Sequence, residues 1–405
     1  MTATAAGGLG YRIGVLALLW VTGLYLRLPM LVAPPLAPAI AAEIDLSQVQ
    51  LGALTTLPVL MLALGAVPGA FAISRLGPVL TVALALVLVT AASIGRGLAP
   101  PASMLMLMTA LLGLGVALMQ PALPVLVARW CPGFLALGSA VYMNGLLMGE
   151  FVGGGLTLPW VLPAVDGDWR AALAVWSLPA LLVAAVLVAC RGIGATRAPA
   201  SAGAPRPLWN APWGDARVWR FGIVLGAASA GFFGTNAYLG PVLDARGEGA
   251  RLADMLFWFN ATQVAGSLLM LVVARALSRR RWAAPAIATA VVLGVAGVGF
   301  GGSTLFLPAV VLLGLGTCMQ LILMVSLVPQ LVGEREAGPL AAGMFAVGYL
   351  LGFAVPLAGG VVADLTGTPQ AALLPIGVLA VLALAVALGA GFGQGVRLST
   401  SGGTR

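Results

Sequence analysis

The feature that most constrains this chain is a recurring apolar stretch of about 20 residues, the length of helix needed to cross the hydrocarbon core of a bilayer. Twelve such runs follow one another, at approximately 13–40, 49–73, 79–95, 103–128, 135–162, 171–190, 221–243, 255–274, 283–302, 306–331, 338–362 and 370–392. Only two of them hold a charge, Arg27 in the first and Glu150 in the fifth. The chain of 405 residues is 61% hydrophobic and 8% charged, against about 25% charged in a soluble domain. It is therefore read as an integral membrane protein whose backbone polar groups must be satisfied within helices. The first run lacks a basic start beyond Arg12 and continues to residue 40, so it is read as a span rather than a cleaved signal.

Twelve spans put both termini on one side. With that side inside, the cytoplasmic segments hold Arg12, Arg75, Arg129, Arg335, Arg397, Arg405, five arginines from Arg191 to Arg220 and four from Arg275 to Arg281. The outer segments hold only Arg96, Arg170, Arg246 and Arg251. The positive-inside rule selects this orientation: a multi-pass protein of a bacterial cytoplasmic (inner) membrane with both termini cytoplasmic. The stretch 190–220 is rich in Gly, Pro, Ala and Arg, has no apolar periodicity, and separates six runs from six. The expected organisation is an N-terminal bundle over 1–193, a cytoplasmic linker over 194–217 and a C-terminal bundle with a short tail over 218–405.

The ionisable side chains narrow the chemistry. All 20 basic residues are Arg, and His is absent, so no imidazole titrates or binds a metal. Proton chemistry falls to carboxylates. Cys131, Cys190 and Cys318 lie far apart, with no metal-ligand spacing and no disulfide framework. The net charge of +8 comes with no basic cluster interleaved with aromatics, so no nucleic-acid partner is expected. No cofactor and no metal site are expected either.

The two halves echo each other. The fourth run contains "GLGVALMQ" (113–120) and the tenth "GLGTCMQ" (314–320); the fifth contains "GLLMGE" (145–150) and the eleventh "GYLLGF" (348–353). Parallel six-helix repeats joined by a cytoplasmic loop are a recurring transporter plan. Four stretches carry a closer likeness: "GLYLRLPMLVAPPLAP" (23–38), "LTTLPVLMLALGA" (54–66), "GLGVALMQPALPVLVAR" (113–129) and, more loosely, "AGFFGTNAYLGPVL" (230–243). On these the chain resembles the major facilitator superfamily over its whole length, and within it the cyanate porter family of cyanate and nitroimidazole transporters. It departs from that family's pattern at Tyr25 and Leu28. In the superfamily's loop between the second and third helices, here "AFAISRLGP" (70–78), Ser74 stands in place of an acid, while Arg75 and Gly77 remain as the expected gating-loop residues.

The resemblance implies an all-α membrane fold of twelve helices in two pseudo-symmetric six-helix bundles, and secondary active transport by alternating access. Arg27 and Glu150 each lie about 15 residues into outward-running spans, hence at similar depth at about 1.5 Å per residue. A charge there costs about 2.5–3.5 kcal/mol and normally faces a cavity or a partner. In the superfamily the first and fifth helices are neighbours on the cavity side, which implies that the two charges pair or share one cavity. Arg27 is expected to bind an anionic or polar solute through its guanidinium fork. Glu150 is expected to compete for Arg27 and to carry a coupling proton. A fixed salt bridge joining two helices is the bland alternative for the pair. Gln120, Asn236, Asn260, Gln263 and Gln320 are polar at mid-helix depth, and Trp20, Tyr25, Tyr142, Tyr238 and Tyr349 are candidate pocket walls. For any one of them an interhelical hydrogen bond or simple packing is the competing role. The protein is read as a monomer whose partners are a small-molecule solute, protons and membrane lipid. Efflux of amphipathic drug-like compounds stays open, as do, more remotely, a membrane-embedded enzyme and a receptor.

Overall fold

The computed structural model describes residues 9–98, 101–192, 211–332 and 334–389. Most of the expected linker (194–210) and both chain termini lie outside the described residues. The described chain is built of helices: α1 (Leu9–Glu43), α2 (48–76), α3 (78–98), α4 (Ala102–Trp130), α5 (Leu137–Ala164), α6 (Trp169–Ala189), α7 (Ala216–Ala245), α8 (Gly249–Leu277), α9 (Ala283–Phe300), α10 (Ser303–Val328), α11 (Glu336–Thr366) and α12 (Pro369–Gly389). The division of α2 from α3 follows from backbone geometry. Gly77 stands at φ 76°, ψ 163° in an otherwise helical stretch, a conformation that glycine alone adopts without strain. Pro78 follows and has no N–H to donate to Ser74. Pro68 does the same to the carbonyl of Leu64, and the chain turns briefly at Gly65 before α2 resumes. Among the described residues eleven helices are long and apolar enough to cross a membrane, and the shorter apolar helix Gln48–Leu64 completes the twelve that the apolar runs predict.

Packing repeats between the halves. In the first, α1 lies on α5, α2 on α4, and α3 on α4 and α6; in the second, α7 lies on α11, α8 on α10, and α9 on α10 and α12. Adding six to each number converts one list into the other. The halves meet mainly through α2 on α11 and α5 on α8, two seams that the same exchange interconverts. This is the signature of a pseudo-twofold relation. Bulky apolar side chains cover the outside: Leu271, Val272 and Val378 are among the most exposed residues, as expected for a surface that faces lipid.

The echoed glycines explain why α1 and α5 touch. A Cβ on Gly145 would fall on the carbonyl of Trp20, one on Gly149 on the carbonyl of Leu24, and one on Gly153 2.7 Å from the carbonyl of Leu28. Glycine every fourth residue thus lets two backbones meet without intervening side chains. The counterparts Gly348 and Gly352 on α11 face the side chains of Leu225 and Ser229 on α7. There the approach is looser.

Candidate functional site

The site begins with a helix that cannot stay continuous. Within α1 the backbone is helical over Leu9–Leu24, Leu28–Leu31 and Ala33–Glu43, with turns between. Pro29, Pro34 and Pro35 occupy the first turns of the second and third pieces and remove donors that a continuous helix needs. Arg27 stands at the first break, at φ −130°, ψ −35°. Non-helical backbone inside a membrane span requires partners buried in protein, and two arginines supply them. Arg27 Nη1 donates to the Leu26 carbonyl at 3.3 Å, and Arg96 Nη2 donates to the Pro29 carbonyl at 3.1 Å.

The break turns the Arg27 side chain into the seam between the halves. It is 5% exposed. Its Nε donates to Glu150 Oε1 on α5 at 3.2 Å, and its Nη2 to the Tyr349 hydroxyl on α11 at 3.4 Å. Its Cζ lies 5.9 Å from the ring centre of Phe233 on α7, within cation–π range. Four spans, two from each half, therefore meet on one guanidinium. Glu150 is itself buried, and breaking such a pair by removing one partner costs about 3–5 kcal/mol. Tyr349 is backed by Phe345, their rings stacked with centres 5.7 Å apart.

The other sequence-predicted residues divide by direction. Trp20 Nε1 donates to Asn144 Oδ1 at 2.9 Å, joining α1 to α5 below the pair. Tyr142 is half-buried on α5, with its backbone against Gly23. Asn260 on α8 donates to Asn236 Oδ1 on α7 at 3.0 Å, and its side chain lies against Gly154 on α5, where a Cβ would come within 2.6 Å of it. Gly154 is one helical turn beyond Glu150, so this amide reaches the same seam. Gln120 is half-buried, with Oε1 unpartnered among the described residues.

Four candidates point elsewhere. Tyr25 is buried in the first half, its hydroxyl donating to the Trp176 carbonyl on α6 at 3.4 Å. The turn at 25–27 rotates it away from Arg27. Gln263 donates to the Gly314 carbonyl (2.9 Å) and Thr317 Oγ1 (3.1 Å), tying α8 to α10. Gln320 donates to the Val224 carbonyl on α7 at 2.6 Å. Tyr238 spans the halves, donating to the carbonyls of Pro356 (2.8 Å) and Gln48 (3.4 Å) in the space left by Gly52 and Gly360. In each case a neighbouring helix offers an acceptor, and satisfying a buried amide or hydroxyl locally outweighs exposing it to a cavity. Arg75 is exposed beside Phe71, its Cζ 5.2 Å from that ring, in the turn made by Gly77.

Three residues were missed. Phe233 lies inside a quoted stretch, and Phe345 stands four residues before Tyr349, a spacing that signals a shared face. Asp364 is the third. Its carboxylate accepts from the backbone amides of Gln48 (2.8 Å) and Val49 (3.1 Å), so the second half caps the start of α2. With Tyr238 it closes the seam at that end. Removing a carboxylate cap costs about 1–2 kcal/mol. Asp364→Ala is therefore expected to move the closed–open balance about tenfold toward opening at the Asp364 end. Spin labels at positions 45 and 368 would then report a new population at longer separation. Unchanged separations would mean that Asp364 does not hold the halves.

The whole chain is similar to known proteins. It is 27% identical over 361 residues to the cyanate transport protein CynX of Escherichia coli (strain K12), covering 87% of this chain and 91% of that one. It is 27% identical over 396 residues to the 2-nitroimidazole transporter of the same organism, covering 95% and 97%. Among solved structures, a bacterial homolog of the human lysosomal transporter Spinster superposes with a TM-score of 0.75 at 16% identity, over 94% of this chain and 97% of that one. The fold is thus that of a multi-pass transporter. The profile of the Major Facilitator Superfamily matches residues 19–352, and the chain belongs to that superfamily.

Proposed function

We propose that this transporter carries a small anionic or strongly polar solute, of the size and planarity of cyanate or a nitroimidazole, together with a proton. The observation that supports this reading is the buried Arg27–Glu150 pair at the seam, with Tyr349 and Phe233 of the opposite half on the same guanidinium. A permanent cation there attracts an anion, and its planar fork and aromatic neighbours suit a flat one. When solute takes Arg27, Glu150 loses its partner in a low-dielectric setting and accepts a proton, so that solute and proton load together. Release of both restores the pair. The Asp364 end, where hydrogen bonds join α2 to α11, is the outer end in the orientation read from the arginines. Alternating access then exchanges closure between the ends of the α2–α11 and α5–α8 seams. The domain limits stay as read from the sequence, at 193/194 and 217/218, with both termini in the cytoplasm of a bacterial cell.

The test is uptake of radiolabelled cyanate and 2-nitroimidazole by proteoliposomes. At least one probe should accumulate when a proton gradient is directed inward, and its accumulation should collapse when the gradient is dissipated. If neither probe moves while amphipathic dyes are expelled, the protein is an exporter of another class of solute and this reading falls.

A further inference from the structure

We infer that Arg96 is a positioning residue for Arg27, acting through the interrupted turn of α1. By its place just past an apolar run, Arg96 is expected in an outer segment. It lies instead in the last turn of α3, 1% exposed. Among the described residues no carboxylate is within ion-pair distance of it, and its Nε and Nη1 have no partner. Its recorded hydrogen bonds run from Nη2 to the Pro29 carbonyl and to Ser93 Oγ, both at 3.1 Å. Among the described residues, the one backbone acceptor that this buried guanidinium holds thus lies two residues from Arg27.

That carbonyl is available because α1 is broken twice. In a continuous helix it would accept from the amide of Ala33, but the chain turns at Val32. The piece Leu28–Leu31 is left as a single turn, closed by Met30 and Leu31 amides on the Arg27 carbonyl and by the Val32 amide on Leu28. One turn has no helical stability of its own, so its orientation is imposed from outside. Arg27 caps its start. Any rotation of the turn carries Arg27 with it, and the 3.2 Å and 3.4 Å contacts to Glu150 and Tyr349 have no slack to absorb the movement. Arg96 is in turn steadied from α6. The Ser93 hydroxyl donates to the Leu173 carbonyl at 3.4 Å, and Arg170 Nε donates to the Gly97 carbonyl at 3.0 Å.

That the positioned group binds solute rests on the function proposed above; that Arg96 holds the turn does not. The full-length protein is therefore compared as wild type, Arg96→Met, Arg96→Lys and Ser93→Ala. For the probe that wild type carries, Arg96→Met should raise KM tenfold or more with Vmax within threefold. Arg96→Lys, which can still donate to Pro29, should restore most of the loss. Hydrogen–deuterium exchange without solute should show the amides of residues 26–33 exchanging at least tenfold faster in Arg96→Met, with those of α12 unchanged. If Arg96→Met does not fold, Ser93→Ala decides, with about threefold effects of the same sign. Unchanged exchange at 26–33, or acceleration spread evenly over α3 and α6, overturns the inference. Failure of wild type to carry either probe sinks only the transport reading, since the exchange result still tests the tether.

Discussion

Arg27→Ala should lower solute uptake by more than a hundredfold, and Glu150→Gln should leave binding in place while removing its response to pH. The first change deletes every charge-assisted hydrogen bond to the solute, worth about 1.5–3 kcal/mol each. Arg27→Lys should not rescue it, because a point charge cannot reproduce the fork that reaches Glu150 and Tyr349 from different nitrogens. Arg27→Ala also strands Glu150 as an unpaired buried carboxylate and should destabilise the protein by about 3–5 kcal/mol. The double variant Arg27→Met, Glu150→Leu separates the two effects. Replacing a buried pair by apolar groups of similar volume is often neutral or stabilising, so melting should return to near the wild-type temperature while uptake stays lost. If the double variant carries solute as wild type does, the pair is a structural clasp only.

The second large effect concerns the glycines under that pair. Gly145→Ala and Gly149→Ala each place a Cβ on a main-chain carbonyl of α1. Backbone cannot rotate aside, so α1 and α5 must separate, at a cost of about 2–3 kcal/mol. The shift falls next to Leu24, where the broken turn begins, and should lengthen the Arg27–Glu150 contact. Gly348→Ala puts the equivalent Cβ 2.6 Å from Leu225 Cδ2 and 2.9 Å from its Cγ, side-chain atoms that can shift where a main-chain carbonyl cannot. It should cost less, about 1 kcal/mol. Thermal unfolding of the three variants in detergent checks this, and equal losses at 145 and 348 would refute the difference in packing.

The two charged positions illustrate what could be read in advance. Arg27 and Glu150 stand out because a charge inside an apolar run is rare, and helix rise alone puts them at similar depth. Their hydrogen bond at 3.2 Å realises the pairing that the superfamily resemblance, which makes the first and fifth helices neighbours, implied. Tyr349 is 322 positions from Arg27, and no local pattern connects them; only the closing of two half-molecules does. The polar residues fared according to their neighbours. Asn260 reached the seam because Gly154 left room across it, whereas Gln263 and Gln320 found acceptors on adjacent helices. Mid-helix depth is common to all three and does not distinguish them.

The number of spans and the helical class were determined by the sequence itself, because lipid imposes one rule on every segment: about 20 apolar residues with the backbone satisfied internally; the repeat of two halves and the superfamily were legible in the echoed and family-like motifs. The prolines that break α1 were also visible at 29, 34 and 35. Where that break points the side chains was decided only by tertiary structure. It turned Tyr25 toward α6 and Arg27 toward α5 and α11, and it drew Arg96 out of an expected loop onto the Pro29 carbonyl. The physical reason is that a freed carbonyl or a buried charge takes whichever partner the packing brings within about 3 Å, and that partner belongs to another helix, distant in sequence.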